Sequence, residues 1–216
     1  MAYGQVAPRK SIPFGPVSRA AAAPDAYRGK MRLALLLALA PLAAFAESTP
    51  AHFYVAADPL PYALHGFSIH GGVVLPGGRF SVESALFSSR LSESLLTLVE
   101  PGNQGFTADL KGITLEGYWH AVQWTRNALL LGAQLHFDRF AAHYAGETGE
   151  GRVDQIYAFP TLAYLAFPFD GAGFFVKPFV SAGLPLLGSR TAEVGAHTFH
   201  QLRVFPLATV VLGWEF

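Results

Sequence analysis

Cysteine is absent from the chain, which excludes a disulfide scaffold and thiolate-ligated zinc or iron–sulfur chemistry. Nor is there an excess of positive charge. Lys and Arg number 15 and so do Asp and Glu, a balance unlike that of a nucleic-acid binder. Charge of either sign is scarce, at 14% of 216 residues against 51% hydrophobic, so the chain is too apolar to remain disordered. No Gly-rich phosphate loop, dinucleotide fingerprint or His-Glu-x-x-His run occurs. The apolar run over residues 33–46 has 14 members, too few to cross a ~30 Å hydrocarbon core as a helix.

That run has a different reading. Met31-Arg32 makes a short basic start, and Ala44-Phe45-Ala46 offers an Ala-x-Ala cleavage site, so residues 31–46 are expected to be a secretory signal. Residues 1–30, with Arg9, Lys10, Arg19, Arg28 and Lys30, show little periodicity and read as an upstream extension or a mis-assigned start. Residues 1–46 hold six of the basic and one of the acidic residues, so the remaining domain, 47–216, has a net charge of −5. An exported chain without a helical span is either a soluble β-protein or a barrel in a bacterial outer membrane.

From Leu64 onward, apolar residues recur at period two between turn residues, the pattern of strands. Phe67, Ile69, Val73 and Leu75 share one face, and Ser68, His70 and Gly72 the other. Val82 and Leu86 oppose Ser81 and Glu83; Ile113, Leu115 and Trp119 oppose Thr114, Glu116, Tyr118 and His120; Leu131, Leu135 and Phe137 oppose Gln134, His136 and Asp138. Charge keeps to one face and shares it with Gly and small polar residues. A closed barrel with lipid outside and a polar lumen inside has this pattern, because neither face then leaves backbone groups unpaired in hydrocarbon. Short connections near 76–78, 123–127 and 168–173 alternate with long ones near 88–105, 142–152 and 185–200, as periplasmic turns alternate with external loops. With residues 52–57 as the first strand, the count is eight.

The last residues, Ala208 to Phe216, place Ala208, Val210, Leu212, Trp214 and Phe216 on a single face. This ending resembles the C-terminal strand of Gram-negative outer-membrane β-barrel proteins. The resemblance implies an all-β, closed antiparallel up-and-down transmembrane barrel of about eight strands, located in the cell outer membrane. It also implies recognition by the barrel assembly machinery through Val210, Leu212, Trp214 and Phe216. Trp119, Trp124, Phe167, Phe169 and Trp214 are expected in a girdle at the short-turn rim, with Phe87, Phe106, Phe140 and Phe199 in a second at the other. Pro160, Pro178 and Pro206 interrupt strand patterns and are expected at bulges or bends.

The expected lumen is polar and plugged, with His70, Arg79, Glu83, Glu116, His120, His136, Asp138, Lys177 and Arg203 in a network of mixed sign. No metal and no cofactor are expected; His136 with Asp138, or His197 and His200 beside Glu193, read as ordinary polar groups. The leading reading is non-enzymatic: a structural, surface-interaction or small-ligand role. Phe87, Leu91, Leu95, Leu96 and Leu98 would then gather at the barrel mouth, under a loop with helix-like spacing over residues 89–99. Expected partners are outer-membrane lipid and the assembly machinery, with no nucleic acid and a monomeric state.

Two alternatives stand beside it. Ser68, His70 and Glu83 fall on one face across a hairpin, the order of nucleophile, base and orienter, which suits an envelope lipid-modifying enzyme. Small outer-membrane barrels include lipid A deacylases with a Ser and His pair, and lipid A palmitoyltransferases. The deacylase pattern is His-x-Ser-Asn, however, and here His70 is followed by Gly71-Gly72-Val73. The other alternative is a soluble periplasmic lipocalin-like binder.

Overall fold

The computed structural model describes residues 50–169 and 173–216. The expected leader and the extension before it lie outside these residues, as do positions 170–172 of the last short turn. The fold is a closed antiparallel barrel. Its strands are β1 (His52–Ala57), β2 (Phe67–Val74), β3 (Phe80–Leu91), β4 (Phe106–Trp124), β5 (Asn127–Tyr144), β6 (Gly151–Leu165), β7 (Phe174–Gly188) and β10 (Phe205–Glu215), each paired with its chain neighbour, and β10 closes on both β7 and β1. A small hairpin, β8 (Thr191–Val194) and β9 (His197–His200), stands in the loop between β7 and β10. Two short helices occupy other loops at the same end: α1 (Pro59–Ala63) and α2 (Glu93–Val99).

Alternation sets the two faces of the wall. Phe53, Ile69, Leu86, Ile113, Leu115, Leu131, Leu135, Phe137, Leu162 and Val180 are exposed on the outside, and Ser68, His70, Glu83, Glu116, His120, Gln134, His136, Asp138 and Lys177 are buried within. On β5 the outward apolar run from Leu129 to Phe137 has the length a tilted strand needs to cross a bilayer, ~9–11 residues. Beyond it, toward the long loops, the outward residues become charged: Arg90, Lys111, Arg139 and Asp154, with Arg139 and Asp154 paired at 2.6 Å. At the opposite rim Trp119, Trp124, Phe169 and Trp214 are exposed, while Phe167 is half-buried with the Arg126 guanidinium 4.1 Å from its ring centre.

The second aromatic girdle does not form. Phe106, Phe140 and Phe199 point inward and pack with Leu91, Leu96, Leu110, Val153, Tyr157, Phe159 and Leu202 in a core under the long loops, and Phe87 joins its edge. A second apolar cluster, including Tyr54, Val74, Leu130, Leu165 and Phe175, fills the short-turn end. The lumen is therefore largely apolar at both ends, and its ionised cluster sits in the middle layer. Two expected members of the luminal network also lie elsewhere. Arg79 is exposed in the turn before β3, and Arg203, in the loop before β10, is solvent-exposed and reaches Glu100 at 3.4 Å. Both positions lie outside the strands, where alternation no longer decides what a side chain faces.

The prolines are found at openings in the ladder rather than at bulges. Pro160 sits where the β6–β7 pairing skips from Ala158 to Thr161, Pro178 lies just past the end of that pairing at Phe179, and Pro206 lies on the part of β10 that has no β1 partner. A residue without an N–H fits best where a ladder bond is not demanded.

Candidate active site

The hairpin between β2 and β3 is closed by the Leu75 N–H donating to Phe80 O, a four-residue loop, and this register pairs His70 with Ala85 and Gly72 with Glu83. His70 and Glu83 are thus diagonal neighbours on the luminal face, with Ser68 two residues along β2. All three side chains are buried. Ser68 Oγ lies 2.7 Å from His70 Nε2, and His70 Nδ1 lies 2.5 Å from Glu83 Oε1. Glu83 Oε2 accepts from the Tyr54 hydroxyl at 2.8 Å and from Lys177 Nζ at 2.5 Å. A carboxylate bound to an ammonium can only accept, so the proton between His70 and Glu83 belongs to Nδ1. In the neutral ring Nε2 is then the acceptor, and the Ser68 hydroxyl donates to it.

A second carboxylate backs the first. Glu116 pairs across the ladder with Glu83. Its oxygens accept from Thr114 Oγ1 at 2.8 Å and from the Tyr118 hydroxyl at 2.6 Å, and that hydroxyl accepts from Gln134 Nε2 at 2.9 Å. Gln134 Oε1 in turn lies 2.7 Å from His136 Nε2. Lys177 Nζ sits 4.7 Å from the centre of the Tyr118 ring as well as on Glu83. His70, Glu83 and Glu116 present ligand atoms within 4.8 Å of one another, the spacing of a metal centre. Both ring nitrogens and all four carboxylate oxygens already hold hydrogen bonds, however, and Lys177 supplies the positive charge, so the arrangement fits an ion-paired cluster.

Above this layer, toward the long loops, lies a cavity of about 310 Å³. Ser68, His70, Thr114, Glu116, Gln134 and His136 provide its polar part; Ala85, Phe87, Leu91, Leu110, Phe179 and Leu207 wall it. Leu95, Leu96, Leu98 and Val99 of α2 cover it, with Leu202 and Phe205 beside them, and Leu60, Pro61 and Leu64 close one side. Helix α2 starts where Ser92 Oγ accepts from Leu95 N–H at 3.4 Å, and its leucines supply the apolar face turned to the cavity. The gathering of Phe87, Leu91, Leu95, Leu96 and Leu98 foreseen at the mouth is this lining.

The other singled-out residues stay apart from it. His120 Nε2 pairs with Ser81 Oγ at 3.2 Å, nearer the short turns. His136 Nδ1 and Asp138 Oδ1 are 3.9 Å apart, and both Asp138 oxygens are buried without a hydrogen-bond partner. On the β8–β9 hairpin, Glu193 accepts from Thr198, and the His197 ring stacks on Tyr144 at 3.5 Å, so Glu193, His197 and His200 do not converge. Tyr54, Thr114, Tyr118 and Gln134 were not foreseen in the site; Tyr54 alternates with the outward Phe53 and Val55, which is the signal that would have found it.

No protein-family model matches the chain, and no curated protein matches it. Among solved structures, a major outer membrane protein from Thermus thermophilus is similar at a TM-score of 0.46 and 11% identity, over 77% of this chain and 99% of that one. That likeness is too loose to carry an argument, and the fold stands on the ladder described above.

Proposed function

We propose that this barrel spans a bacterial outer membrane and hydrolyses an acyl ester, with Ser68 as nucleophile, His70 as general base and Glu83 as the group that orients it. What supports the membrane setting is the outward apolar belt between a charged rim and an aromatic one, since a soluble protein seldom exposes so continuous an apolar surface. The single observation that carries the chemistry is the Ser68–His70–Glu83 chain of hydrogen bonds, at 2.7 and 2.5 Å, set against an apolar cavity.

In the first half-reaction Ser68 Oγ attacks the ester carbonyl carbon and its proton passes to His70 Nε2; Glu83, held by Lys177 and Tyr54, stabilises the resulting imidazolium through Nδ1. Collapse of the tetrahedral intermediate breaks the bond to the alcohol oxygen, and His70 returns its proton to that leaving group. Water, deprotonated by His70 Nε2, then attacks the acyl-serine ester; the second tetrahedral intermediate breaks its bond to Ser68 Oγ, which takes the proton back from His70, and the carboxylic acid is released. The cavity suits the acyl part. Taking ~30 Å³ for a water-sized group, it holds about ten such groups, on the scale of a medium-length hydrocarbon chain.

The test uses the refolded chain in phosphatidylcholine vesicles with a soluble fluorophosphonate. Mass analysis is expected to find the adduct on Ser68 and none in Ser68→Ala; no adduct in either would end the proposal. A second reading, a non-enzymatic binder of a small apolar molecule, is favoured by the low exposure of Ser68, 2%. It predicts a bound lipid on extraction and no adduct.

A further inference from the structure

We infer that the acyl chain reaches Ser68 sideways, out of the outer leaflet, through a seam between β2 and β10 that α1 fills as a displaceable stave; the substrate is then a bilayer-resident acylated lipid rather than a soluble ester. This rests on the hydrolase reading above.

The seam is visible in the register. β10 runs from Phe205 to Glu215, yet β1 pairs only with Leu212 through Glu215. Among the described residues, Phe205 through Val211 have β7 on one side and no strand on the other. Across the opening, Phe67 through Ile69 of β2 likewise have β3 on one side only, because β1 reaches no further than Ala56 opposite His70. Ser68 lies on this edge. Open sheet edges do not persist in hydrocarbon, so something must cover them.

The chain between β1 and β2 does so. Pro59 and Pro61 donate no N–H, and the segment satisfies much of its own backbone: Leu64 N–H to Leu60 O and Pro61 O, His65 N–H to Tyr62 O, Gly66 N–H to Pro61 O. Three bonds tie it to the wall. Thr209 Oγ1 donates to Asp58 Oδ1 at 2.6 Å, the Tyr62 hydroxyl to Ser68 O at 3.1 Å, and Arg90 N–H to Leu64 O at 2.8 Å. The inner residues of the stave, Leu60, Pro61 and Leu64, are themselves cavity wall. Its outer residues Tyr62 and Ala63 are exposed beside the exposed Phe67, Ile69 and Val210 of the belt. Displacing α1 therefore joins the cavity to the lipid directly. The rival route, through the long-loop mouth, would draw every methylene of the chain through water, at a free-energy cost that grows with chain length.

The absence of cysteine makes a clean test possible. The 2.6 Å contact places positions 58 and 209 near bridging range, so Asp58→Cys/Thr209→Cys in the full chain, refolded into phosphatidylcholine vesicles, locks the stave when oxidised. Two probes report adduct formation at Ser68: a decyl fluorophosphonate dissolved in the bilayer, whose chain matches the cavity, and an ethyl fluorophosphonate in the water. Oxidation is expected to slow the bilayer probe by about tenfold or more and to leave the soluble probe within about twofold, with reductant reversing the change. Equal labelling by the bilayer probe in both redox states overturns the lateral route. Loss of both probes overturns it too, since the block then lies at Ser68 and not in the wall. If neither probe labels Ser68 in the reduced or the unaltered chain, it is the hydrolase reading that fails. Should the bridge not close, Thr209→Val and Tyr62→Phe, which remove one tie each, decide instead: faster labelling from the bilayer in either supports the seam, and an unchanged rate in both overturns it.

Discussion

β4, β5 and β6 run for 19, 18 and 15 residues, whereas β1 and β2 run for 6 and 8. The long strands rise past the charged outer rim and turn Phe106, Phe140, Val153, Tyr157 and Phe159 inward into an apolar core. The short strands stop early, leave a seam, and carry Ser68 and His70 at its edge. One wall is spent on packing and the other on access. The difference teaches that a barrel has no free edge only where its neighbours are equally long; wherever one strand stops, another device has to satisfy the wall, and that is where a ligand can pass.

Substitutions on the two walls should separate along this line. The largest expected effect is Ser68→Ala, which should lower acyl-ester turnover by roughly 10³-fold or more and leave heat-modifiable gel mobility unchanged, because the hydroxyl's bond to His70 is lost while the strand ladder is untouched. A fall in both would mean that Ser68 is a packing residue and the contrast between walls is false. Next comes Phe140→Ala on the tall wall. It should remove about 3–5 kcal/mol in a urea refolding titration, while the folded fraction keeps its Ser68 reactivity toward a soluble fluorophosphonate. Loss of reactivity at full folding would show that the tall wall shapes the site after all.

Gly66→Ala strikes the join between the stave and β3. A Cβ there would lie 1.9 Å from the Ser88 carbonyl oxygen, a backbone atom, so the segment must shift. About 1–3 kcal/mol of destabilisation is expected, with Ser68 labelling from the bilayer rising as α1 loosens. A neutral substitution would mean that the seam segment is not held against β3.

How much of this the sequence discloses depends on whether a property belongs to one strand or to two. Period-two alternation belongs to one strand, so the barrel, its faces and the first strand at residues 52–57 were all legible. So was the pairing of Ser68, His70 and Glu83, which needs only an i, i+2 step and a short hairpin. The seam is a property of pairs. β10 alternates evenly over its whole length whether or not β1 lies beside it, so nothing in its pattern reports the missing partner. Lys177, 94 positions from Glu83, was readable as luminal but not as the residue on that carboxylate. Phe140 has the parity of Gln134, His136 and Asp138, and Phe106 that of Thr114 and Glu116, which places both inside rather than in a girdle. Arg79 and Arg203 lie just outside β3 and β10, where alternation no longer fixes a side chain's face.

The smallest expected effect distinguishes the two ends of the stave. Tyr62→Phe removes only the hydroxyl bond to Ser68 O, made by a half-exposed side chain at 3.1 Å, so its cost in stability should be ~0.5–1 kcal/mol at most. If that bond helps hold α1 closed, the open fraction rises by no more than about fivefold, and labelling of Ser68 by the bilayer probe rises with it. Thr209→Val removes the tie at the other end, onto Asp58. A response to Thr209→Val but none to Tyr62→Phe would make β10 the side that parts and β2 the hinge. The reverse would put the hinge on β10 and couple opening to the backbone of the nucleophile itself. Equal responses would mean that the helix leaves as a unit, which requires the Leu64–Arg90 bond to carry the segment while it is displaced.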